Sequence, residues 1–200
     1  MADDIVYVVD DDPPVRAALE MLIRSQQLAV ESFPNAAAFL DSFKPGQPGC
    51  LVLDIRMPGM SGLDLQTELE RRGSDLPIIF LTGHGDIQMA VQALKAGAQD
   101  FLEKPFRDQT LLDCIHRALE EGRESRDKRE RAEDVQRRVA SLTPRENEVL
   151  QRIIEGQPNK VVASELSLSE RTIEIHRSRV MSKMGARSLA QLVRLMMQAQ

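Results

Sequence analysis

Hydrophobic residues in the first 120 positions form short continuous runs, separated by segments in which they recur every three or four residues. The runs predict buried strands at Ile5–Val9, Cys50–Leu53, Ile78–Leu81 and Phe101–Leu102, with a weaker one at Ala29–Phe33. Five alternations of strand and helix predict a doubly wound α/β fold, in which helices cover both faces of a five-stranded parallel sheet. Ligands of such sheets bind beyond the carboxyl ends of the strands.

The segments between the runs each predict a helix with one apolar face. Their apolar residues are Val15, Leu19, Leu22 and Ile23; Phe39, Leu40 and Phe43; Leu63, Leu65 and Leu69; Met89, Val91 and Leu94; and Leu111, Leu112, Ile115 and Leu119. The stretch Glu120–Arg131 has no apolar residue, so we expect it to stay outside any core. Its opposite charges three or four positions apart favour a solvent-exposed helix, and disorder is the alternative.

The last 60 residues carry only helical signals. Thr143 and Glu146 are spaced as a capping box around Pro144. Asn159, Ser169 and Ser188 are expected to open three further helices, and Gly156 to end the first. We therefore predict a first domain at 1–121, a charged helical linker at 122–139 and a small all-α domain of four helices at 140–200.

Charge is divided unevenly along the chain, although the net charge is only −5. Residues 1–122 carry 20 acidic and 10 basic side chains, a net of −10, whereas residues 123–200 carry 11 and 16, a net of +5. The acidic part suits a metal ion or a basic partner, and the basic part suits a phosphate backbone. Cys50 and Cys114 fit no metal spacing and are expected to be buried thiols of a cytoplasmic protein. No run approaches the roughly 18 apolar residues of a membrane helix.

Polar residues that can carry chemistry follow the predicted strands. Asp10, Asp11 and Asp12 follow the first strand, Asp54 and Thr82 follow two others, and Lys104 comes just after the last. Because the carboxyl ends of parallel strands share one edge, the carboxylates should gather there and hold a hard divalent cation such as Mg²⁺. A carboxylate beside that cation can act as a nucleophile toward phosphorus, with Lys and hydroxyl groups to stabilise the phosphoryl oxygens.

The same positions carry a resemblance that covers residues 1 to about 122. The segments concerned are Val8-Val9-Asp10-Asp11, Leu53-Asp54-Ile55-Arg56-Met57-Pro58-Gly59-Met60-Ser61-Gly62, Leu81-Thr82-Gly83 and Lys104-Pro105-Phe106. They resemble the receiver domain of two-component response regulators, which has the flavodoxin-like, CheY-like fold. The resemblance implies that Asp54 accepts a phosphoryl group from a sensor histidine kinase. An acidic cluster before a turn can also be only a helix N-terminus, and for Asp12 both readings stay open.

The receiver resemblance also implies roles for the surrounding residues. Asp11, Asp54 and the carbonyl of Arg56 would ligate Mg²⁺ or Mn²⁺, and Asp10 would act mostly through water. Lys104 and Thr82 would contact the phosphoryl group. Phe101 would be the aromatic switch residue, and the peptide before Pro105 would be cis. His84 fits a loop role better than that of a catalytic base, since no partner is visible for it.

In the basic region, Ile173, His176, Val180 and Met184 share one helix face, which should pack inward with His176 as a hydrogen-bonded core residue. The opposite face carries Arg171, Glu174, Ile175, Ser178, Arg179 and Ser182. Such a face can read base edges in a major groove, although periodicity alone fits a solvated surface equally well.

A second resemblance covers residues 140–200 and rests on four segments. These are Leu142-Thr143-Pro144-Arg145-Glu146-Asn147-Glu148-Val149-Leu150, Asn159-Lys160-Val161-Val162-Ala163, Leu168-Ser169-Glu170-Arg171-Thr172-Ile173-Glu174 and His176-Arg177. They resemble the LuxR/FixJ helix-turn-helix, which implies that Glu170–Met184 is the recognition helix. Its base-facing positions would be Glu174, Ile175 and Ser178. The phosphate-contact candidates are Lys160, Arg171, Arg177, Arg179 and Lys183. A fourth helix near Ser188–Met197 often forms the dimer contact on DNA.

Together these features predict a phosphorylation-dependent transcriptional regulator, not an enzyme. Its expected partners are a sensor kinase, double-stranded promoter DNA, RNA polymerase and, on phosphorylation, a second copy of the chain. From the family resemblance alone, we expect activation of transcription more than repression. An aspartyl-phosphate phosphatase commonly carries a second Asp two residues after the nucleophile, where this chain has Arg56. A phosphorelay protein without DNA binding and a constitutive DNA-binding protein with a vestigial receiver are further alternatives.

Overall fold

The structure is a computed structural model that describes residues 4–83 and 97–198. The chain divides into two compact units, Met1–Ser125 and Arg126–Gln200. The predicted helix with Met89, Val91 and Leu94 lies outside the described residues, as does His84. Within the described ranges, no helix is long and apolar enough to cross a membrane.

The first unit is built on a parallel sheet, as predicted. Its strands are β1 (Ile5–Val9), β2 (Ala29–Phe33), β3 (Gly49–Asp54), β4 (Ile78–Thr82) and β5 (Asp100–Glu103), in the order β2-β1-β3-β4-β5. The described helices of this unit that lie between strands are α1 (Pro13–Ser25), α2 (Ala36–Ser42) and α3 (Gly62–Arg71). Successive strands are added on one side of β1 and then, from β3 onward, on its other side. The carboxyl ends of β1 and β3 therefore flank the crevice where such sheets bind ligands.

Alternation along the strands builds one core on each face of the sheet. In β1, Tyr7 and Val9 point to a core that contains a cluster of aromatic rings, whereas Val6 and Val8 point to the opposite one. Cys50 and Cys114 are buried free thiols, as predicted. Burial raises the pKa of both, so neither is disposed to ionise.

Helix α4 extends over Asp108–Ala140 and so includes the whole predicted linker. Pairs four residues apart follow its surface, such as Arg138 and Asp134 at 2.7 Å. As expected, none of the described core clusters includes a residue of Glu120–Arg131, although Gly122 itself is buried. A Cβ atom there would lie only 3.1 Å from Pro77, because the missing side chain lets the helix backbone approach the residue that precedes β4.

The second unit is helical. Its helices after the end of α4 are α5 (Pro144–Ile154), α6 (Asn159–Leu166), α7 (Glu170–Met184) and α8 (Leu189–Gln198). The caps at Thr143, Ser169 and Ser188 are present. The cap predicted at Asn159 is wrong. Pro158 precedes α6 with an extended backbone, Asn159 is the first helical residue, and its side chain accepts a hydrogen bond from Arg177 instead.

Candidate functional site

Three carboxylates meet at the carboxyl ends of β1 and β3. Asp10 and Asp11 follow β1, and Asp54 ends β3. One carboxylate oxygen from each lies within 4.8 Å of the other two. Asp10 is fully buried, Asp54 is half-buried and Asp11 is exposed, so the cluster opens to solvent on one side. These hard oxygen donors at short mutual distance fit a divalent cation such as Mg²⁺.

Lys104 joins this cluster from the loop after β5. Its Nζ lies 2.8 Å from Oδ2 of Asp10 and 3.5 Å from Oδ2 of Asp54. Burial alone would lower the pKa of Lys104, but its hydrogen bond to Asp10 and the two carboxylate charges outweigh burial and raise it. Lys104 is therefore a fixed cation at the site, and the peptide to Pro105 is cis, as predicted.

Asp54 has a raised pKa. Burial is the largest cause, and the Asp10 carboxylate raises the pKa further. The Lys104 charge and a hydrogen bond from the Arg56 backbone amide act in the opposite direction without cancelling the rise. The start of α3 closes this side of the site, where a Cβ on Gly62 would stand 2.5 Å from the Asp54 carbonyl oxygen. The Gly62 amide donates to the Ile55 carbonyl at 2.9 Å and holds that close approach.

The turn after β1 is held by a residue that the sequence analysis missed. Arg16, on the first turn of α1, donates from its guanidinium to the Asp10 carbonyl at 2.7 Å. The Asp10 carboxylate in turn accepts the amide of Asp12 at 2.9 Å. Asp12 is the N-cap residue of α1 and does not belong to the three-carboxylate cluster. Of its two readings, the structure therefore supports the helix N-terminus. The sequence held one sign of this contact, an arginine in the first turn of the predicted helix, six positions after Asp10.

The two predicted switch residues occupy different surroundings. Thr82 ends β4 and is buried, and its hydroxyl donates to the Leu102 carbonyl over a long 3.4 Å. Its backbone carbonyl accepts the Lys104 amide at 2.8 Å, which fixes the loop that carries the lysine. Phe101 is half-buried against the core that contains Tyr7. Because its hydrogen bond to the Leu102 carbonyl is long, the Thr82 hydroxyl is weakly held and can turn to a stronger acceptor.

In the second unit, α7 presents the two predicted faces. Ile173, Val180 and Met184 are buried in the core of the unit. The opposite face is exposed throughout and includes Arg171, Glu174, Ile175, Ser178, Arg179 and Ser182. Ile175 is 47% exposed, so this face also offers a large aliphatic side chain to a partner surface.

His176 differs from its prediction. It is half-buried, and its Nδ1 atom is enclosed without a hydrogen-bond partner among the described residues. The expectation of a hydrogen-bonded core histidine is therefore wrong for this nitrogen. The inward face of α7 on which it lies is otherwise apolar, with Ile173, Val180 and Met184 in the core.

The predicted phosphate-contact residues fall into two groups. Lys160, Arg171 and Arg179 are exposed, whereas Arg177 donates to Asn159 at 3.1 Å. Lys183 is engaged within the unit: its ammonium donates to Oε2 of Glu146 at 2.7 Å and to the Ser141 carbonyl at 3.0 Å.

Glu146, the main partner of Lys183, is buried. The hydrogen bond from Lys183 and the one from the Thr143 amide lower the pKa of Glu146 to about 2. Lys183, whose side chain is 37% exposed, therefore belongs to the capping network around Glu146 at the start of α5.

Comparison with known proteins assigns both units. The model of the "Response regulator receiver domain" family matches residues 6–116, and that of "Bacterial regulatory proteins, luxR family" matches residues 140–196. The chain belongs to the response regulators with a LuxR-family DNA-binding domain. It is a phosphorylation-dependent transcriptional regulator of the two-component type, which confirms the predicted fold class and general function.

Several relatives are similar over nearly the whole response regulator. Nodulation protein W of Bradyrhizobium diazoefficiens is 50% identical over 96% of this chain and 84% of its own. The transcriptional regulatory protein FixJ of Azorhizobium caulinodans is 45% identical over 95% of this chain and 90% of its own. The solved structure of response regulator StyR is 48% identical, with a TM-score of 0.90 over 98% of this chain and all of that one.

Proposed function

We propose that Asp54 is the phosphoacceptor of this response regulator. The observation that carries the proposal is the position of its carboxylate within 4.8 Å of Asp10 and Asp11 and 3.5 Å from the Lys104 ammonium. An Asp54 oxygen attacks the phosphorus of a phosphohistidine on the sensor kinase. A P–O bond forms, the P–N bond breaks, and the imidazole nitrogen takes the electron pair and is reprotonated by solvent. Lys104 stabilises the charge on the transferred group.

The metal ligands in this proposal are Asp11, Asp54 and the Arg56 carbonyl, with Asp10 acting through water. Mg²⁺, or Mn²⁺ in its place, would neutralise charge on the phosphoryl oxygens. Arg16 keeps the turn after β1 in place through the Asp10 carbonyl. Asp10, buried and bonded to Lys104, positions that ammonium beside Asp54.

After phosphorylation the Thr82 hydroxyl exchanges its long bond to the Leu102 carbonyl for a phosphoryl oxygen. Lys104 moves from Asp10 to the same group, and Phe101 turns further into the core. Phosphoryl transfer adds about −1.5 to −2 charges at neutral pH, enough to change the balance between two such arrangements. We infer that a receiver surface which includes β5 then forms a homodimer.

The DNA interface in this proposal is the exposed face of α7, the recognition helix. Glu174, Ile175 and Ser178 contact base edges, and the phosphate contacts come from Lys160, Arg171, Arg177 and Arg179. Lys183 is reassigned to the capping network, because its ammonium already has two partners. Two copies on paired half-sites gain affinity by effective concentration.

The remaining parts of the proposal concern boundaries and partners. The receiver occupies 1–121, the linker 122–139 and the DNA-binding domain 140–200. The protein acts in the cytoplasm, where promoter DNA is found, and as an activator it contacts RNA polymerase. Its chemistry is limited to its own phosphorylation and dephosphorylation, since Arg56 stands where phosphatases of this chemistry carry a second Asp.

The test measures phosphoryl incorporation, oligomeric state and affinity for DNA, with and without acetyl phosphate and Mg²⁺. We expect the wild-type chain to take up phosphate, dimerise and bind DNA more tightly, and Asp54→Asn to do none of these. Asp41→Asn, at an exposed position of the same unit, is the matched control. Phosphate uptake by the Asp54→Asn variant would show that another residue is the acceptor.

A further inference from the structure

The C-terminal end of α7 is held by a residue that lies outside the LuxR-family match. That match begins at residue 140, whereas Arg138 stands two positions earlier, on the last turn of α4. Its Nη1 donates to the Met184 carbonyl, the last one of α7, at 2.8 Å. Its second terminal nitrogen, Nη2, lies 2.7 Å from Oδ2 of Asp134, and this ion pair orients the donor. Both contacts lie within the second unit.

This contact completes the cap of α7. The amides of Gly185 and Ala186 bond to the carbonyls of Ser182 and Met181, which leaves the Met184 carbonyl for an outside donor. Arg138 supplies that donor together with a positive charge at the negative end of the helix dipole. Gly185 has a φ of +65° and leaves room, since a Cβ there would stand 2.6 Å from Arg138 Nη1.

The last turns of α4 also contribute to the core under α7. Val135 is 2% exposed and belongs to the same apolar cluster as Ile173, Val180 and Met184. The recognition helix is therefore fixed in two ways by α4, through packing at Val135 and through a directed polar contact at Arg138.

We propose that Arg138 is a positioning residue for base recognition, an inference that rests on the proposed role of α7. The base-facing residue Glu174 lies ten positions from Met184, or about 15 Å along the helix axis. A tilt of about 2° at the capped end would move Glu174 by about 0.5 Å, the tolerance of a preorganised binding group. Contacts to phosphates tolerate such a movement better than contacts to base edges, because they read no fixed donor pattern.

The experiment uses the full-length chain phosphorylated with acetyl phosphate. Duplexes are first selected by the wild type from a random pool. The measured quantity is the ratio of the Kd for random-sequence duplex to the Kd for the selected duplex. Arg138→Met keeps the apolar stem and removes the donor. Arg137→Met is the matched control, because Arg137 is 77% exposed and lies 3.5 Å from the same Asp134, so this variant loses the same charge while the bond from Arg138 to Met184 stays.

We expect Arg138→Met to lower the specificity ratio about tenfold, the size of one lost base contact. The Kd for random duplex and the salt dependence of binding should stay close to those of Arg137→Met. Arg138→Lys keeps a charged donor and should recover part of the loss. Equal ratios for the two Met variants would overturn the inference. A smaller salt slope for Arg138→Met than for Arg137→Met would also overturn it, because Arg138 would then be a phosphate contact.

Two further outcomes are distinguishable. If Arg138→Met is unfolded at the temperature of measurement, Asp134→Asn decides, since it frees the guanidinium without touching α7. A decrease of about threefold in its ratio supports the inference, and no decrease overturns it. If the wild type enriches no duplex at all, the proposed DNA-binding role of α7 fails, and the inference fails with it.

Discussion

The Lys104 ammonium lies closer to Asp10 than to Asp54, at 2.8 Å from one carboxylate and 3.5 Å from the other. The buried Asp10 thus holds the cation beside the proposed acceptor while leaving a wider gap at Asp54. A phosphoryl group transferred to Asp54 can occupy that gap. Lys104 then only exchanges Asp10 for the phosphoryl group and stays within the same cluster. The asymmetry also leaves Asp54 with a raised pKa, since the lysine lowers it less than burial raises it.

Replacement of Lys104 by Met should raise the pKa of Asp54 still further. The ammonium lowers this pKa through its charge and a hydrogen bond, and burial and the Asp10 carboxylate would then act unopposed by it. A ¹³C NMR titration of the side-chain carboxyl groups in the absence of divalent metal measures the shift. Lys44→Met, at an exposed position, should leave the Asp54 titration unchanged. An unchanged or lower pKa in Lys104→Met would contradict the assigned contact.

Asp54→Asn should stabilise the metal-free first unit at pH 7 by on the order of 1 kcal/mol, the usual scale of one substitution. Because the pKa of Asp54 is raised on folding, the native state holds the proton to higher pH than the unfolded chain does. The wild-type free energy of unfolding therefore falls as the pH rises from the ordinary value of 3.8 through the raised pKa. The gain of the Asn variant should shrink as the pH is lowered toward 3.8.

Fluorescence of Tyr7 measures this effect in urea titrations, because the chain has one Tyr and no Trp. The probe lies in β1 and reports on the first unit alone. Asp41→Asn is the control for loss of one carboxylate at an exposed site. Equal stability of the Asp54→Asn variant and wild type at every pH would show that Asp54 ionisation is not opposed in the folded state.

Glu146→Gln should destabilise the second unit at pH 7 but not near pH 2. The pKa of Glu146 falls from 4.5 to about 2 on folding, mainly through the hydrogen bond from Lys183. Its stabilising contribution is therefore complete above pH 4.5 and is lost as the pH falls toward 2. Thermal unfolding followed by amide NMR signals of α5 and α7 measures the difference. Glu148→Gln removes a carboxylate from the same helix at an exposed position and should show a smaller effect.

Arg179→Gln and Lys183→Gln should separate a phosphate contact from a structural cation. Arg179 is exposed, so its loss should reduce the salt slope of DNA binding by about 1. Lys183 is bonded to Glu146 and the Ser141 carbonyl, so its loss should lower the melting temperature of the second unit and leave the slope unchanged. Filter binding at several salt concentrations measures the slopes. Equal slopes for the two variants would contradict this division of roles.

Local patterns in the sequence were enough to predict the strands, three helix caps of the second unit and the residue types of the candidate site. Continuous apolar runs coincide with β1, β3 and β4, because a parallel strand that is buried on both faces needs apolar residues throughout. The signals for β2 and β5 were weaker, because these two strands are only partly buried and include charged residues. The capping box at Thr143 was visible because its partners are three positions apart. The gathering of Asp10, Asp11 and Asp54 followed from the rule that parallel strands end at a common edge.

Contacts between distant residues depended on packing that no local pattern encodes. Lys104 is 94 positions from Asp10, and Arg138 is 46 positions from Met184. Lys183 was grouped with the DNA contacts because it lies on the recognition helix, but its angle on that helix brings it to a buried glutamate. Side chains as long as Lys and Arg can reach several partners. The tertiary structure selects the partner, since only the folded chain fixes which acceptors are buried and within reach.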